Sequence, residues 1–154
     1  MLLIDALIVS IILIFFAAIA WKKQALDLKG ILISLIVGIT TFVLAGMKGF
    51  AVIAALFVCL EIATRLGRKN KELKFEKRSV GNVLGNCLAA LIALFLGSIS
   101  GFCAGIASAL SDSFGSELGQ LSKSKPVLIT SLKKVQAGED GGVTLFGFLM
   151  SIMG

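Results

Sequence analysis

Histidine and tyrosine are absent from this 154-residue chain, and proline and tryptophan occur once each. Without imidazole or phenol there is no Ser-His triad, no histidine metal site and no phenolic nucleophile. Whatever chemistry the chain performs has to come from carboxylates, hydroxyls, amides and cations. Charge is scarce too, at 16% of residues against roughly 25% in a soluble domain. The three cysteines, Cys59, Cys87 and Cys103, are odd in number, lie in apolar runs and show no CxxC spacing. That argues against a disulfide framework or a zinc site and for buried thiols. The short alternating strands of a membrane barrel are missing as well, as are low-complexity segments and a repeat of fixed period.

What is present is apolarity: 57% of residues are hydrophobic and the mean hydropathy is +1.00. The apolar runs are about 17 to 20 residues long, enough to cross roughly 30 Å of hydrocarbon as helices. We read spans at 2–21, 31–47, 50–66, 80–98 and 101–120, with an apolar stretch from 143 onward that is too short to cross. The expected fold is all-α, a polytopic transmembrane helical bundle of five full spans plus a partial sixth. Residues 1–154 form one integral membrane domain, expected to be the front part of a longer chain. The opening MLLIDALIVSIILIFFAAIAW lacks a basic n-region and a small-x-small cleavage pattern, so it counts as the first span and not as a signal peptide.

Basic residues set the expected orientation. Lys22, Lys23 and Lys29 follow the first span. Arg65, Arg68, Lys69, Lys71, Lys74, Lys77 and Arg78 follow the third, and Lys123, Lys125, Lys133 and Lys134 follow the fifth. Lys48 alone lies opposite. The N-terminus is therefore expected outside and the basic loops in the cytoplasm. The net charge of +6 then reflects topology and attraction to anionic membrane lipids, with no nucleic-acid partner.

Against this background the stretch SALSDSFGSELG stands out. Gly101, Gly105, Ser108, Asp112, Gly115 and Gly119 follow each other at steps of 4, 3, 4, 3 and 4, one face of a helix. Small residues there suit a close packing seam. A carboxylate within the membrane costs several kcal/mol unless paired, protonated or hydrated, which makes Asp112 a candidate functional residue. Glu117 lies roughly 140° further round an α-helix and nearer its cytoplasmic end, so it need not share that face. Ser111, Ser113 and Ser116 either extend a polar lining or bond back to the helix. On the fourth span Asn82, Asn86, Ala89 and Ala93 also share a stripe. The asparagines serve either as interhelical hydrogen-bonding groups or as ligand contacts beside Asp112. Glu61, four residues before Arg65, reads as a local ion pair, and Asp5 as a first-turn carboxylate suited to the helix dipole.

The segment SKSKPVLITSLKKVQAGEDGGVTLFG combines lysines, hydroxyls and glycines. GEDGG matches no nucleotide-binding fingerprint and is compatible with an ordinary turn. Glycine N–H groups and lysines do suit phosphate oxygens. Lys123 lies only about 16 Å along the helix from Asp112 at 1.5 Å per residue. Carboxylates beside lysines fit a magnesium-bound polyphosphate.

Three stretches, RSVGNVLGN, the D-x-x-x-x-E-x-G of Asp112, Glu117 and Gly119, and P-x-L-I-T-x-L-K through G-G-V-T, carry a resemblance over roughly residues 20–154. The chain resembles the polytopic membrane family that includes transmembrane protein nineteen and plant phytyl phosphate kinase, distantly akin to phytol and dolichol kinases. Phe114 and Ser116 stand where members commonly have Trp and Thr, and the family's usual second glycine and Asp motif is not among these residues. The resemblance implies a CTP-dependent kinase converting an isoprenoid (prenyl or phytyl) monophosphate to the diphosphate. In that reading Asp112 and Glu117 are catalytic and bind Mg²⁺. Asn82, Asn86, Ser108 and Ser116 line the site, and Lys125, Thr130, Lys133, Lys134, Gly138, Gly141, Gly142 and Thr144 hold nucleotide and substrate. A homo-oligomer would complete a site that needs both halves. The competing readings are a small-solute or ion transporter half with Asp112 as coupling residue, and a non-catalytic scaffold.

Overall fold

The computed structural model describes residues 2–68, 79–136, 139 and 141–154. Helix α1, Leu2–Lys22, is apolar nearly all round; Val9 is buried, Ala6, Leu13, Phe16 and Ala20 are half-buried along the same face, and the opposite side is exposed. A helix hydrophobic all round that packs along one face suits lipid on the others. Its end is closed by a left-handed residue, Gln24 at φ 54. The Ala25 N–H reaches the Ala20 carbonyl at 3.0 Å and the Gln24 N–H the Trp21 carbonyl at 3.1 Å, the paired closure that satisfies final carbonyls. Asp27 then caps α2, its carboxylate accepting from the Gly30 N–H at 2.6 Å.

Helix α2 runs Leu28–Arg68 with one break, Gly46 at φ 64, ψ −163. The break is a fold-back. A side chain on Gly38 would lie 3.6 Å from the Phe50 ring, although twelve residues of straight helix span about 18 Å. A side chain on Gly49 would meet Ala45 and lie 3.5 Å from Thr41. Leu13 of α1 packs on Gly38 at 2.7 Å from the same hypothetical Cβ. The fold-back lies at Gly46, just inside the end of the expected 31–47 span and ahead of the expected one at 50–66.

Helix α3, Val80–Phe95, buries Val83, Cys87, Ala90, Leu91 and Leu94, residues that recur at helical spacing along one face. Ser79 and Asn82 cap it reciprocally: the Asn82 side-chain oxygen accepts from the Ser79 N–H at 2.9 Å and from its hydroxyl at 3.2 Å. Only residues 96–98 separate α3 from α4, Ile99–Ser113. Gly97 at φ 74 lets the Ser98 N–H reach the Ala93 carbonyl at 2.8 Å, and the Ser98 hydroxyl caps α4 through the Gly101 N–H at 3.0 Å. The tight reversal brings the two helices together at glycines. A side chain on Gly105 would sit 2.8 Å from the Ala90 nitrogen, and one on Gly101 2.9 Å from the Ala93 Cβ.

After α4 the chain widens into a π-helical turn, Phe114–Leu118. It then forms the antiparallel pair β1, Val127–Leu128, with β2, Gly142–Val143, and ends in α5, Leu145–Met153. Contacts divide the chain into two units. One comprises Met1–Phe57 with Phe75–Ile106, the other Val58–Lys74 with Ala107–Gly154. Two helical stretches, Leu3–Lys22 and Leu28–Gly67, are long and apolar enough to cross a membrane, while the apolar Val80–Phe95 is shorter.

Gly46 has no atom within 4 Å of a hypothetical Cβ but lies in a backbone region almost reserved for glycine, whereas Gly85 is helical with equally open surroundings. Gly46→Ala is therefore expected to destabilise by about 1–3 kcal/mol, and Gly85→Ala to stabilise by about 0.5–1 kcal/mol, in denaturant titrations of the detergent-solubilised protein. Equal effects of the two substitutions would refute the assignment of Gly46 as a strained hinge.

Candidate functional site

The second unit holds both carboxylates singled out in the sequence together with the lysine-rich segment. Asp112 stands in the last turn of α4, exposed and without a hydrogen-bond or ion-pair partner among the described residues. Glu117 lies within the π-helical turn, half-buried. The widened turn changes their relation. With i→i+5 bonding, about one more residue is needed per turn, so the separation of roughly 140° in an α-helix falls to roughly 70°. Glu117 is thereby brought round toward the side of Asp112.

Two residues that sequence reasoning passed over hold Glu117. The Thr64 hydroxyl donates to its Oε1 at 3.2 Å, and Thr64 is itself only 3% exposed. One turn on, Gly67 lies against the Glu117 carbonyl so closely that a Cβ would come 3.0 Å from its carbonyl carbon. A lone Thr and Gly within an apolar run, three residues apart, leave little trace in a single sequence. The expected ion pair beside them is present, Arg65 meeting Glu61 at 2.5 Å.

On its other side the π turn receives α5. Side chains on Gly147 would lie 3.2 Å from the Gly115 carbonyl and 3.3 Å from the Gly119 Cα, and the Ser111 hydroxyl donates to the Ser151 carbonyl at 2.8 Å. Gly115 and Gly119 of the small-residue face are thus a packing seam, as their size suggested. Ser116 bonds back to the Ser113 carbonyl at 3.3 Å, the local alternative among its two readings. Ser108 is exposed.

In the lysine-rich segment, the backbones of Leu128 and Val127 pair with Lys133 and Lys134 on one side and with Gly142 and Val143 on the other. Lys125, Lys133, Lys134 and Thr130 all have exposed side chains. Gly141, at φ 78, accepts from the Ile129 N–H at 3.3 Å. A Cβ on Gly142 would lie 2.9 Å from the Glu139 carbonyl. Thr144 caps α5, its hydroxyl accepting from the Gly147 N–H at 3.0 Å. These three therefore have folding tasks of their own. Gly138 lies outside the described residues. Asn82 and Asn86 belong to the first unit, where the Asn82 oxygen serves as the α3 cap and Asn86 is half-buried.

Among the described residues no three Asp, Glu or Cys side chains gather as a metal cage. Mg²⁺ ordinarily takes one or two carboxylates and completes its shell with water and substrate phosphates. Asp112 and Glu117 fit that donor set, because the first is unpartnered and the second is oriented by Thr64.

The family model described as "Integral membrane protein DUF92" matches residues 11–154. An uncharacterized membrane protein of Methanocaldococcus jannaschii is 37% identical over 96% of this chain and 66% of its own length. One of Synechocystis is 33% identical over 95% and 62%. Protein VTE6, chloroplastic, of Arabidopsis thaliana is 27% identical over 83% and 44%. The chain thus spans between 44% and 66% of the length of these curated relatives. No solved structure matches it. With all but its first ten residues matched, and with apolar helices closed at their ends, the chain belongs to the DUF92 family of integral membrane proteins.

Proposed function

We propose that the protein is a membrane-embedded phosphotransferase, a CTP-dependent kinase that converts an isoprenoid monophosphate to its diphosphate. The carrying observation is the exposed, unpartnered Asp112 two residues before a π turn that bears an oriented Glu117, in the same unit as Lys125, Lys133 and Lys134. The family resemblance and the likeness to a chloroplastic plant relative support the substrate class. We also propose five membrane spans, with α2 counted as two, the N-terminus outside and the basic loops in the cytoplasm. The one-sided lysines and the fold-back at Gly46 support that count.

The chemistry asks little of a base. A phosphate monoester has its second pKa near 6, so the acceptor is an anion at neutral pH and no proton has to be abstracted. What the reaction needs is position and charge compensation. Exposed lysines and glycine N–H groups answer the phosphate oxygens of donor and acceptor, and Thr64 keeps the Glu117 carboxylate at a fixed angle. Bound Mg²⁺ would supply neutralisation of the developing phosphoryl charge, with Asp112 and Glu117 as its protein ligands. The prenyl tail, being hydrocarbon, dissolves among the helices and in lipid.

Incubation of the purified protein with radiolabelled CTP, Mg²⁺ and phytyl or geranylgeranyl phosphate is expected to label a lipid diphosphate. Asp112→Asn and Glu117→Gln are each expected to lower the rate by about 10²–10³. Lys133→Gln with Lys134→Gln is expected to raise KM for CTP. Ion or solute flux in proteoliposomes without transfer of label would support the transporter reading instead, and indifference of both assays to Asp112→Asn a scaffold. In a cysteine-free background, Ser124→Cys is expected to react with an impermeant maleimide only from the cytoplasmic side and Lys48→Cys only from the outside. The reverse pattern would overturn the orientation.

A further inference from the structure

Between β1 and the lysine pair the chain makes a short exposed tip, residues 129–132, closed by the Leu132 N–H on the Leu128 carbonyl at 2.8 Å and the Leu128 N–H on the Lys133 carbonyl at 2.9 Å. Two aliphatic side chains stand on it, Ile129 at 66% and Leu132 at 77% exposure. Leu132 also holds φ 55, a left-handed conformation that an ordinary L residue adopts only at a cost. A soluble turn would put Asn, Gly or Asp at such a position. In water the tip combines strain with exposed hydrocarbon, and nothing in the hairpin offsets either.

The surroundings say what does. Lys123, Lys125, Lys133 and Lys134 are exposed in this segment, against Glu139 and Asp140 as its acids. Both ends of the segment are tied to the membrane: it leaves the π turn at Leu118 and re-enters helix at Leu145, and α5 exposes Leu145, Phe148, Leu149, Ile152 and Met153. In the proposed membrane arrangement those five side chains lie in lipid. The tip is therefore held within reach of a bilayer surface by its own tethers.

We propose that the 129–132 tip is an interfacial anchor, with Ile129 and Leu132 seated at the boundary between headgroups and acyl chains and the adjoining lysines set against anionic headgroups. Exposed aliphatic residues combined with neighbouring Lys are the pairing that binds peripheral segments to anionic leaflets. The anchor shares its lysines with the phosphotransfer reading but does not rest on it, because its insertion is carried by Ile129 and Leu132, which have no part in transfer.

The test uses the full chain in vesicles. Trp21→Phe removes the natural indole, Leu132→Trp places one at the tip, and Gln136→Trp provides an exposed reference. In an equal mixture of phosphatidylcholine and phosphatidylglycerol brominated near the top of the acyl chains, the Leu132→Trp emission is expected to fall by roughly half, and the Gln136→Trp emission to change little. Indole has an interfacial preference of its own, so Ile129→Ser is added to the Leu132→Trp protein. A true anchor loses much of its quenching on that change, and again when phosphatidylglycerol is omitted. Equal quenching at positions 132 and 136, or quenching indifferent to both Ile129→Ser and lipid charge, would overturn the proposal. So would shielding from aqueous acrylamide that grows with protein concentration in place of lipid charge, which would assign the tip to a second copy of the chain.

Discussion

Close approach of one backbone to another is the constraint on which the rest of this protein depends. In lipid, hydrocarbon side chains gain nothing by leaving the solvent for each other, so helices associate through van der Waals contact and hydrogen bonds at short range. Glycine makes that range accessible. Gly105 meets the Ala90 backbone in the first unit, and Gly119, Gly115 and Gly147 meet one another in the second. Leu at any of these positions would hold the helices apart and forfeit the contact. The aliphatic majority of the chain faces outward and mainly matches the solvent. A small number of residues with almost no side chain do the specifying.

The same short range governs the polar groups. Among the described residues no buried side-chain nitrogen or oxygen lacks a partner. Thr41 bonds back to the Val37 carbonyl at 2.8 Å, Ser111 reaches across to Ser151, and Thr64 reaches Glu117. Satisfied polarity is what lipid requires of any group placed in it. Asp112 stands outside that accounting, exposed and without a partner in the last turn of α4.

Much of the helical architecture was legible because lipid-sized apolar runs and their breakers are a strong signal. The fold-back at Gly46 comes two residues before the expected break at 48–49, the Glu61–Arg65 pair forms, and the glycines of 101–119 pack as small residues do. The π turn was not legible. Nothing in FGSEL announces an extra residue per turn, and its angular effect on Glu117 follows only from backbone geometry. Hydroxyls and asparagines are ambiguous for a different reason: Asn82, Ser116 and Thr144 carry the same atoms whether they close a helix end or touch a ligand. In this chain helix ends and local turns engage them first. Thr64 was invisible because its meaning lies fifty-three residues away at Glu117.

Gly46 has a consequence for how the chain is made. Where helices are joined by a long polar loop, each can partition into the bilayer in turn and the loop crosses as a separate event. Here a single residue separates the two arms of α2, and no such loop exists to cross. In the proposed five-span topology the arms leave the insertion machinery as a joined pair, the apex passing through the hydrocarbon with Lys48 close behind it. The ammonium of that one lysine is then the main electrostatic toll of the passage, and the hydrophobicity of both arms together is available to meet it.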